Sequence, residues 1–389
     1  MFKVLTHQPT DPVLALMGLF ERDRRPGAVD LGIGAYRNEQ GRIPIFRAVK
    51  LAEQMLWREQ DTKSYIGPAG DLEFLDALWS LVGGAAGGTR ATAGVQTPGG
   101  TGALRLAAEV ARRAGRQRVL IGSPNWRDHV EIFEAAGLRV ERYPFFDVPS
   151  QTMLFDRIME AFAAAGPGDV AVLHAGCHNP SGAVLSLSHW SAIADGLARR
   201  GILPVIDIAY QGFGQGLEED ARGLRNLVAQ VPEALVAVSL SKTFGLYRER
   251  VGAIFATAAT DGAAEIARSN LVSVARALYL MPPAHGAAVA RMILQDARLK
   301  QDWTSELEDM RLRIALIRSM LASRLAVRWP ALAAMSDQEG LFSILPLDEA
   351  QIMNARSNHG IYMSLCGRIN IAGLRMADVD RVATDIVRL

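Results

Sequence analysis

Four apolar runs in this chain each end on side chains able to move protons, donate hydrogen bonds or form covalent bonds. Val119 to Ile121 is followed by Ser123, Trp126 and His129, and Val170 to Leu173 by His174, Cys177, His178 and Asn179. Leu203 to Ile206 leads into Asp207 and Tyr210, and Leu235 to Val238 into Ser239, Ser241 and Lys242. In open α/β sheets, ligands bind beyond the carboxyl ends of the strands, so four such ends point to one shared site. Any one of them alone is explained by a helix cap. Lys242 stands out because only five of the 42 basic residues are lysines, and it is the single lysine between Lys63 and Lys300. Arginine keeps its charge, whereas a desolvated lysine presents a neutral amine that condenses with an aldehyde or accepts a proton. The structural alternatives are a surface lysine or an ion pair with Glu249.

Ahead of these runs, Thr97-Pro-Gly-Gly-Thr-Gly102 reads as a glycine-rich loop opening a helix. Free backbone N–H groups and the helix dipole at Gly100, with the Thr101 hydroxyl, suit a phosphate. Nucleotide motifs fit poorly: Arg105 stands where the dinucleotide fingerprint needs its third glycine, and the chain has no Gly-Lys dipeptide. A phosphate, an amine for an aldehyde and a buried acid such as Asp207 for a pyridine nitrogen together describe pyridoxal phosphate. Two other chemistries compete. His174, Cys177 and His178 could be called metal ligands, but they crowd within five residues without a second ligand group, so no metal is expected. Ser239-Leu-Ser-Lys242 matches the S-x-x-K pattern of serine acyl-enzymes. The partner motifs S-D-N and K-T-G are represented only by Ser336-Asp-Gln and Lys242-Thr-Phe.

These side chains need a scaffold, and the spacing supplies one. Short apolar runs alternating with amphipathic stretches such as Leu187 to Arg200 predict an α/β fold with a mainly parallel sheet from about residue 91 to 257. Beyond residue 300 the pattern changes to a long helix over Asp302 to Leu325, with Leu307, Met310, Ile314, Ile317 and Leu321 on one face, then short strands at Leu341 to Leu345 and Arg368 to Ile371. At 389 residues two domains are expected, the second a smaller α+β unit. Ala163 to Gly168 and Gly83 to Gly88 read as loops. A net charge of +1 argues against a general nucleic-acid or anionic-membrane binder. Pro12 to Phe20 is too short to span a bilayer and reads as a core-facing helix. Two cysteines and a start without a leader pattern predict a cytoplasmic setting.

The motifs together carry a resemblance. SLSKTFGLYRERVG around Lys242, Asp207-Ile-Ala-Tyr210, His178-Asn-Pro-Ser-Gly182, Gly99-Gly-Thr-Gly-Ala-Leu, Cys366-Gly-Arg368-Ile-Asn and Leu31-Gly-Ile-Gly34 resemble the aspartate/aromatic subgroup of class I aminotransferases. The resemblance runs over nearly the whole chain and implies a fold type I pyridoxal-phosphate transferase. That fold has a seven-stranded sheet in a large domain at 44–309, a small domain from 12–43 and 310–389, and an N-terminal arm at 1–11. It also implies a homodimer with active sites shared between subunits.

By the same resemblance, Lys242 forms the Schiff base and shuttles the proton, Asp207 keeps the pyridine nitrogen protonated, and His129 supports Asp207. Asn179 and Tyr210 bond the phenolic oxygen and Trp126 stacks on the ring. Gly100, Thr101, Ser239, Ser241, Arg250 and the partner chain's equivalent of Tyr65 hold the phosphate. Arg368 grips the substrate α-carboxylate, with Gly34, Trp126 and Asn179 nearby, and Arg276 reaches the distal group from the neighbouring subunit. The chain departs from the family at Leu278, Leu280 and Met281, where polar residues are usual, and at Ile43 in place of threonine. A greasier distal pocket is implied. The expected reaction moves the amino group of tyrosine or phenylalanine to 2-oxoglutarate in alternating half-reactions, with aspartate as the competing donor. A lyase on the same cofactor and a non-catalytic binding protein are the remaining function classes.

Overall fold

A computed structural model describes residues 2–7, 10–84 and 90–389. Seven strands form its main sheet: β1 (Ala91–Pro98), β2 (Arg118–Ser123), β3 (Arg139–Pro144), β4 (Asp169–His174), β5 (Leu203–Ile208), β6 (Ala234–Ser239) and β7 (Val251–Ala258). Their spatial order is β1-β7-β6-β5-β4-β2-β3. Pairings from β6 through β3 are all parallel, while β7 runs antiparallel to both β1 and β6. The mainly parallel α/β expectation therefore holds.

The continuous apolar runs arise because both faces of the sheet are covered. Val119, Ile121, Val170, Val172, Leu235 and Ala237 face the layer holding the helix Gly99–Arg113, through Leu104, Ala107, Ala108 and Ala111. Leu120, Ala171, Leu173, Ile206, Val236 and Val238 face the opposite layer, which includes the helices Leu187–Arg200 and Leu217–Gln230. Strands β1 and β3 were not legible as apolar runs. The first is rich in Ala, Thr and Gly, and the second is a charged edge strand bonded on one side only.

Because β2, β4, β5 and β6 are parallel, their carboxyl ends lie on one edge. The antiparallel β7 begins where β6 ends, pairing Gly252 with Ser239 and Val251 with Pro98. Arg250 and Gly99 are thereby delivered to the edge that carries the chemistry. No separate glycine loop precedes the helix, contrary to the reading of Thr97 to Gly102. Strand β1 runs through Pro98, and Gly99, at φ +75°, turns the chain directly into the helix.

The long C-terminal helix spans Ala297–Leu325, starting before Asp302, with Asp296 capping Arg298 and Leu299. Leu307, Met310, Ile314, Ile317 and Leu321 are all buried along it. Two short ladders pack beside it: Val29–Asp30 with Ile361–Tyr362, and Phe342–Ile344 with Arg368–Asn370. The second strand stops at Asn370, as Ile371 enters a 3-10 turn. The helix Pro12–Arg22 forms but does not face the core: only Leu16 is buried, and Leu14 and Leu19 are exposed. Positions 1, 8 and 9 of the expected 1–11 arm, and positions 85–88 of the Gly83 to Gly88 reading, lie outside the described residues.

Candidate active site

At the carboxyl edge of the sheet, a cavity of about 200 Å³ is lined by Gly100, Thr101, Trp126, His174, Asn179, Asp207, Ala209, Tyr210, Ser239, Ser241, Lys242 and Arg250. Every residue expected from the strand ends to meet the cofactor thus borders one space, apart from His129 behind Asp207 and Tyr65.

One end is acidic. His129 is fully buried and donates from Nε2 to Asp207 Oδ2 at 2.9 Å. Burial favours the neutral acid, but the His129 hydrogen bond and the charges of neighbouring groups, Lys242 among them, outweigh it and hold Asp207 below the usual carboxylate range. A buried, ionised carboxylate suits a protonated ring nitrogen. His174 packs 4.9 Å from the His129 ring, and burial, reinforced by His129, pushes it down to about 3. Ligand atoms of His129, His174 and Asp207 converge within 4.8 Å, a trio that already contains the His129–Asp207 hydrogen bond. The His174, Cys177 and His178 cluster weighed from the sequence does not form such a group among the described residues. Cys177 Sγ points to the Tyr210 carbonyl at 3.8 Å, and His178 bonds Ser181.

The other end is cationic and rich in donors. Arg250 Nη1 lies 3.2 Å from Ser241 Oγ, and the Ser239 and Ser241 hydroxyls are 3.3 Å apart. A Cβ on Gly99 would come 2.6 Å from Arg250 Nη2, and one on Gly100 would meet the Ser239 Cβ at 2.9 Å. Glycine is needed for the helix N-terminus to approach these side chains. Backbone donors, two hydroxyls and a fixed cation form a phosphate cradle.

Lys242 lies between the ends, its Nζ 5.2 Å from the centre of the Tyr210 ring. Burial lowers its amine to about 8, with Arg250 and Arg368 adding to the drop and Asp207 opposing it. No ion pair joins it to Glu249 among the described residues. Asn179 Nδ2 donates to Tyr210 Oη at 3.1 Å, and Asn179 Oδ1 is buried without a partner. Burial pushes the Tyr210 phenol well up, so its O–H remains a donor. An acid, a phenol–amide pair, an amine and an anion cradle around one cavity match the ring nitrogen, phenolic oxygen, aldehyde and phosphate of pyridoxal phosphate. The residues fit that cofactor.

Above this cavity a second one, of about 530 Å³, is lined by Trp126, Asn179 and Arg368 together with Val13, Leu16 and Leu19 of the first helix, Leu365 and Cys366. The apolar face of Pro12–Arg22 is therefore a wall of the cleft. Arg368 Nη2 donates to Gly32 O at 2.6 Å, its guanidinium carbon lies 4.7 Å from the Phe342 ring, and its buried Nε has no partner. A Cβ at Gly34 would strike that ring at 2.7 Å. Neither Phe342 nor Gly32 was singled out in the sequence, where Phe342 fell within the Leu341 to Leu345 strand and Gly32 within the Leu31-Gly-Ile-Gly34 motif. Tyr65 and Arg276 are exposed, Tyr65 at 82%, and neither lines the cleft of its own chain.

The sequence profile of the aminotransferase class I and II family matches residues 26–386. A tyrosine aminotransferase of Rhizobium meliloti is 57% identical over 98% of each chain, and an aspartate aminotransferase of Escherichia coli is 40% identical over 96% of each. A solved aromatic-amino-acid aminotransferase from Burkholderia pseudomallei, covalently bound to pyridoxal phosphate, superposes with a TM-score of 0.95. It is 35% identical and covers 100% of this chain and 99% of its own. On its fold, its cleft and this likeness, the chain belongs to the class I and II aminotransferase family.

Proposed function

We propose that this enzyme transfers the amino group of an aromatic L-amino acid, tyrosine or phenylalanine, to 2-oxoglutarate with pyridoxal phosphate, in two alternating half-reactions. The observation that carries it is Lys242, an amine lowered to about 8 in a cleft with an anion cradle at one end and a buried Asp207–His129 pair at the other. The likeness to tyrosine and aromatic-amino-acid aminotransferases supports the aromatic donor.

Pyridoxal phosphate supplies an aldehyde and a ring that withdraws the electron pair left at the substrate Cα. Asp207, ionised and oriented by His129, holds the proton on the ring nitrogen. Tyr210 and Asn179 hydrogen-bond the phenolic oxygen, and Trp126 covers the ring face. Gly100, Thr101, Ser239, Ser241 and Arg250 bind the phosphate, joined by Tyr65 of a second copy. Lys242 takes the proton from Cα and returns it on the other side of the transfer, base and then acid. Arg368, with Gly34, Trp126 and Asn179 around it, receives the α-carboxylate in a bidentate pair, for which its orphaned Nε is available.

Arg276 reads the distal group in the neighbouring subunit's site, among Leu278, Leu280 and Met281. A homodimer is supported by the exposure of Ile45, Trp57, Tyr65 and Leu280, apolar area that a second copy would cover. The proposed division is a large domain at 44–309 and a small one from 12–43 and 310–389, with the 1–11 arm bridging subunits. No described helix is long and apolar enough to cross a membrane, and we place the enzyme in the cytoplasm.

Aspartate is the second reading, favoured by Arg276 and by the aspartate aminotransferase likeness. A panel of kcat/KM values for tyrosine, phenylalanine and aspartate against 2-oxoglutarate decides. Aspartate exceeding both aromatics by about tenfold, about 1.4 kcal/mol in transition-state binding, would reverse the assignment.

A further inference from the structure

Arg318, on the helix Ala297–Leu325, is 2% exposed and has no carboxylate partner among the described residues. Its Nη1 donates to Ser343 Oγ at 2.5 Å and Phe342 O at 3.2 Å, and its Nη2 to Gly340 O at 2.5 Å and Phe342 O at 3.2 Å. Burial brings it down to about 10, so it remains a cation at neutral pH. Desolvating such a charge is unfavourable, and an apolar residue of similar volume would fill the space without that penalty. Its contacts converge on a single short segment, Gly340 to Ser343.

That segment supports the carboxylate end of the cleft. Strand Phe342–Ile344 pairs with Arg368–Asn370, placing Ile344 opposite Arg368. The Phe342 ring underlies the Arg368 guanidinium at 4.7 Å, stands edge-on to Tyr210 at 5.8 Å, and fills the space a Cβ at Gly34 would need. From the far side, Ser343 Oγ donates to Gln338, Gln338 donates to Gln151, and Gln151 donates to Ile344 O at 3.1 Å. The backbone carrying Phe342 is held from both sides, and among the described residues Arg318 supplies the hydrogen bonds that reach Gly340 to Ser343 from the helix.

We propose that Arg318 is a positioning residue for substrate recognition: it fixes Gly340 to Ser343 so that Phe342 holds the Arg368 guanidinium flat and aimed at the incoming carboxylate. This rests on the assignment of Arg368 to the α-carboxylate. The ring contributes a cation–π surface and removes alternative Arg368 rotamers.

The test is a double-mutant cycle on the holoenzyme with Arg318→Met and Phe342→Leu, titrated with 3-phenylpropionate and assayed with tyrosine. Each single variant should raise the Kd of 3-phenylpropionate and the KM of tyrosine about tenfold. In each, kcat should stay within about twofold and the absorbance of the bound cofactor should not change. The double variant should be little worse than either single. Arg318→Lys, which keeps a cation and some donors, should recover at least about threefold. Unchanged carboxylate affinity in Arg318→Met, or additive losses near hundredfold in the double variant, would overturn the proposal, as would an equal loss of cofactor affinity. Should Arg318→Met fail to fold, Arg318→Lys replaces it in the cycle and additivity is again refuting. Arg368→Ala separates the underlying assignment: if it retains 3-phenylpropionate, the carboxylate role fails, whereas loss there with an unaffected Arg318→Met defeats the positioning role alone.

Discussion

The reactivity of Lys242 gives a prediction that can be followed from structure to number. Lowering an amine from 10.5 to about 8 raises its neutral fraction at pH 7 from about 0.03% to about 9%, a factor of about 300 or about 3.4 kcal/mol. Only the neutral amine attacks an aldehyde, so the advantage should appear directly as rate. In the apoenzyme, irreversible arylation of Lys242 by 1-fluoro-2,4-dinitrobenzene, which only the neutral amine undergoes, followed by peptide mass analysis from pH 6 to 11, should rise tenfold per pH unit. It should then flatten near pH 8. A lysine-containing peptide should still be accelerating at pH 10. The causes of the shift set the signs of the variants. Arg250→Gln or Arg368→Gln removes a cation that disfavours the ammonium, so the bend should move up; Asp207→Asn removes the charge that favours it, so the bend should move down. A labelling rate that climbs through pH 10 without a bend, or variants that move it in the opposite directions, would refute the assignment of Lys242 as a desolvated nucleophile.

Other substitutions probe the remaining parts of the cleft. Asp207→Asn should lower kcat by on the order of 10²–10³, because a neutral amide cannot hold a proton on the ring nitrogen; steady-state assay with tyrosine measures it. Arg368→Lys keeps the charge but loses the planar fork, and KM for the amino donor should rise by about tenfold or more while cofactor affinity is unchanged. Gly99→Ala must place a Cβ 2.6 Å from Arg250 Nη2 at φ +75°, so equilibrium dialysis should show weaker cofactor binding, with a stability loss of about 1–3 kcal/mol on denaturation. Leu278→Asn with Leu280→Ser should raise the aspartate-to-tyrosine ratio of kcat/KM, and an unchanged ratio would remove those residues from specificity.

The cleft floor was legible in the sequence because parallel strands align their carboxyl ends, and four apolar runs each stopped at a reactive side chain. Lys242, Asp207, Asn179, Tyr210 and the two serines could be read this way, and the structure brings them around one cavity. The roof was not legible. Gly32 meets Arg368 across 336 residues of chain, and Phe342 meets it only once two short strands pair, so no local pattern encodes either approach. Pro12–Arg22 illustrates the same limit. Its apolar spacing gave a helix, but periodicity does not say whether the apolar face meets a core or a cleft. Nothing local distinguishes Arg318 from the other charges of the Asp302 to Leu325 stretch, because its partners lie on the later segment Gly340 to Ser343. Tyr65 and Arg276 came from resemblance alone, and within one chain both stand exposed.

Charge order explains why one position in this cleft is lysine and two are arginine. Arg250 and Arg368 both disfavour the ammonium form of Lys242, which keeps the amine reactive while the anion positions are open. A phosphate beside Arg250 and a carboxylate beside Arg368 would cancel those fields. The amine then becomes more basic as the cleft fills, which in the proposed reaction is the stage at which its task changes from attacking an aldehyde to removing a proton from Cα. Lysine at position 250 or 368 would share the burial and neighbouring cations that lower Lys242, and in the open cleft would lose its proton, leaving the incoming anion without a fixed partner. Arginine cannot do so at any ordinary pH, so the guanidinium groups supply a fixed field and the single amine is the group that responds to it.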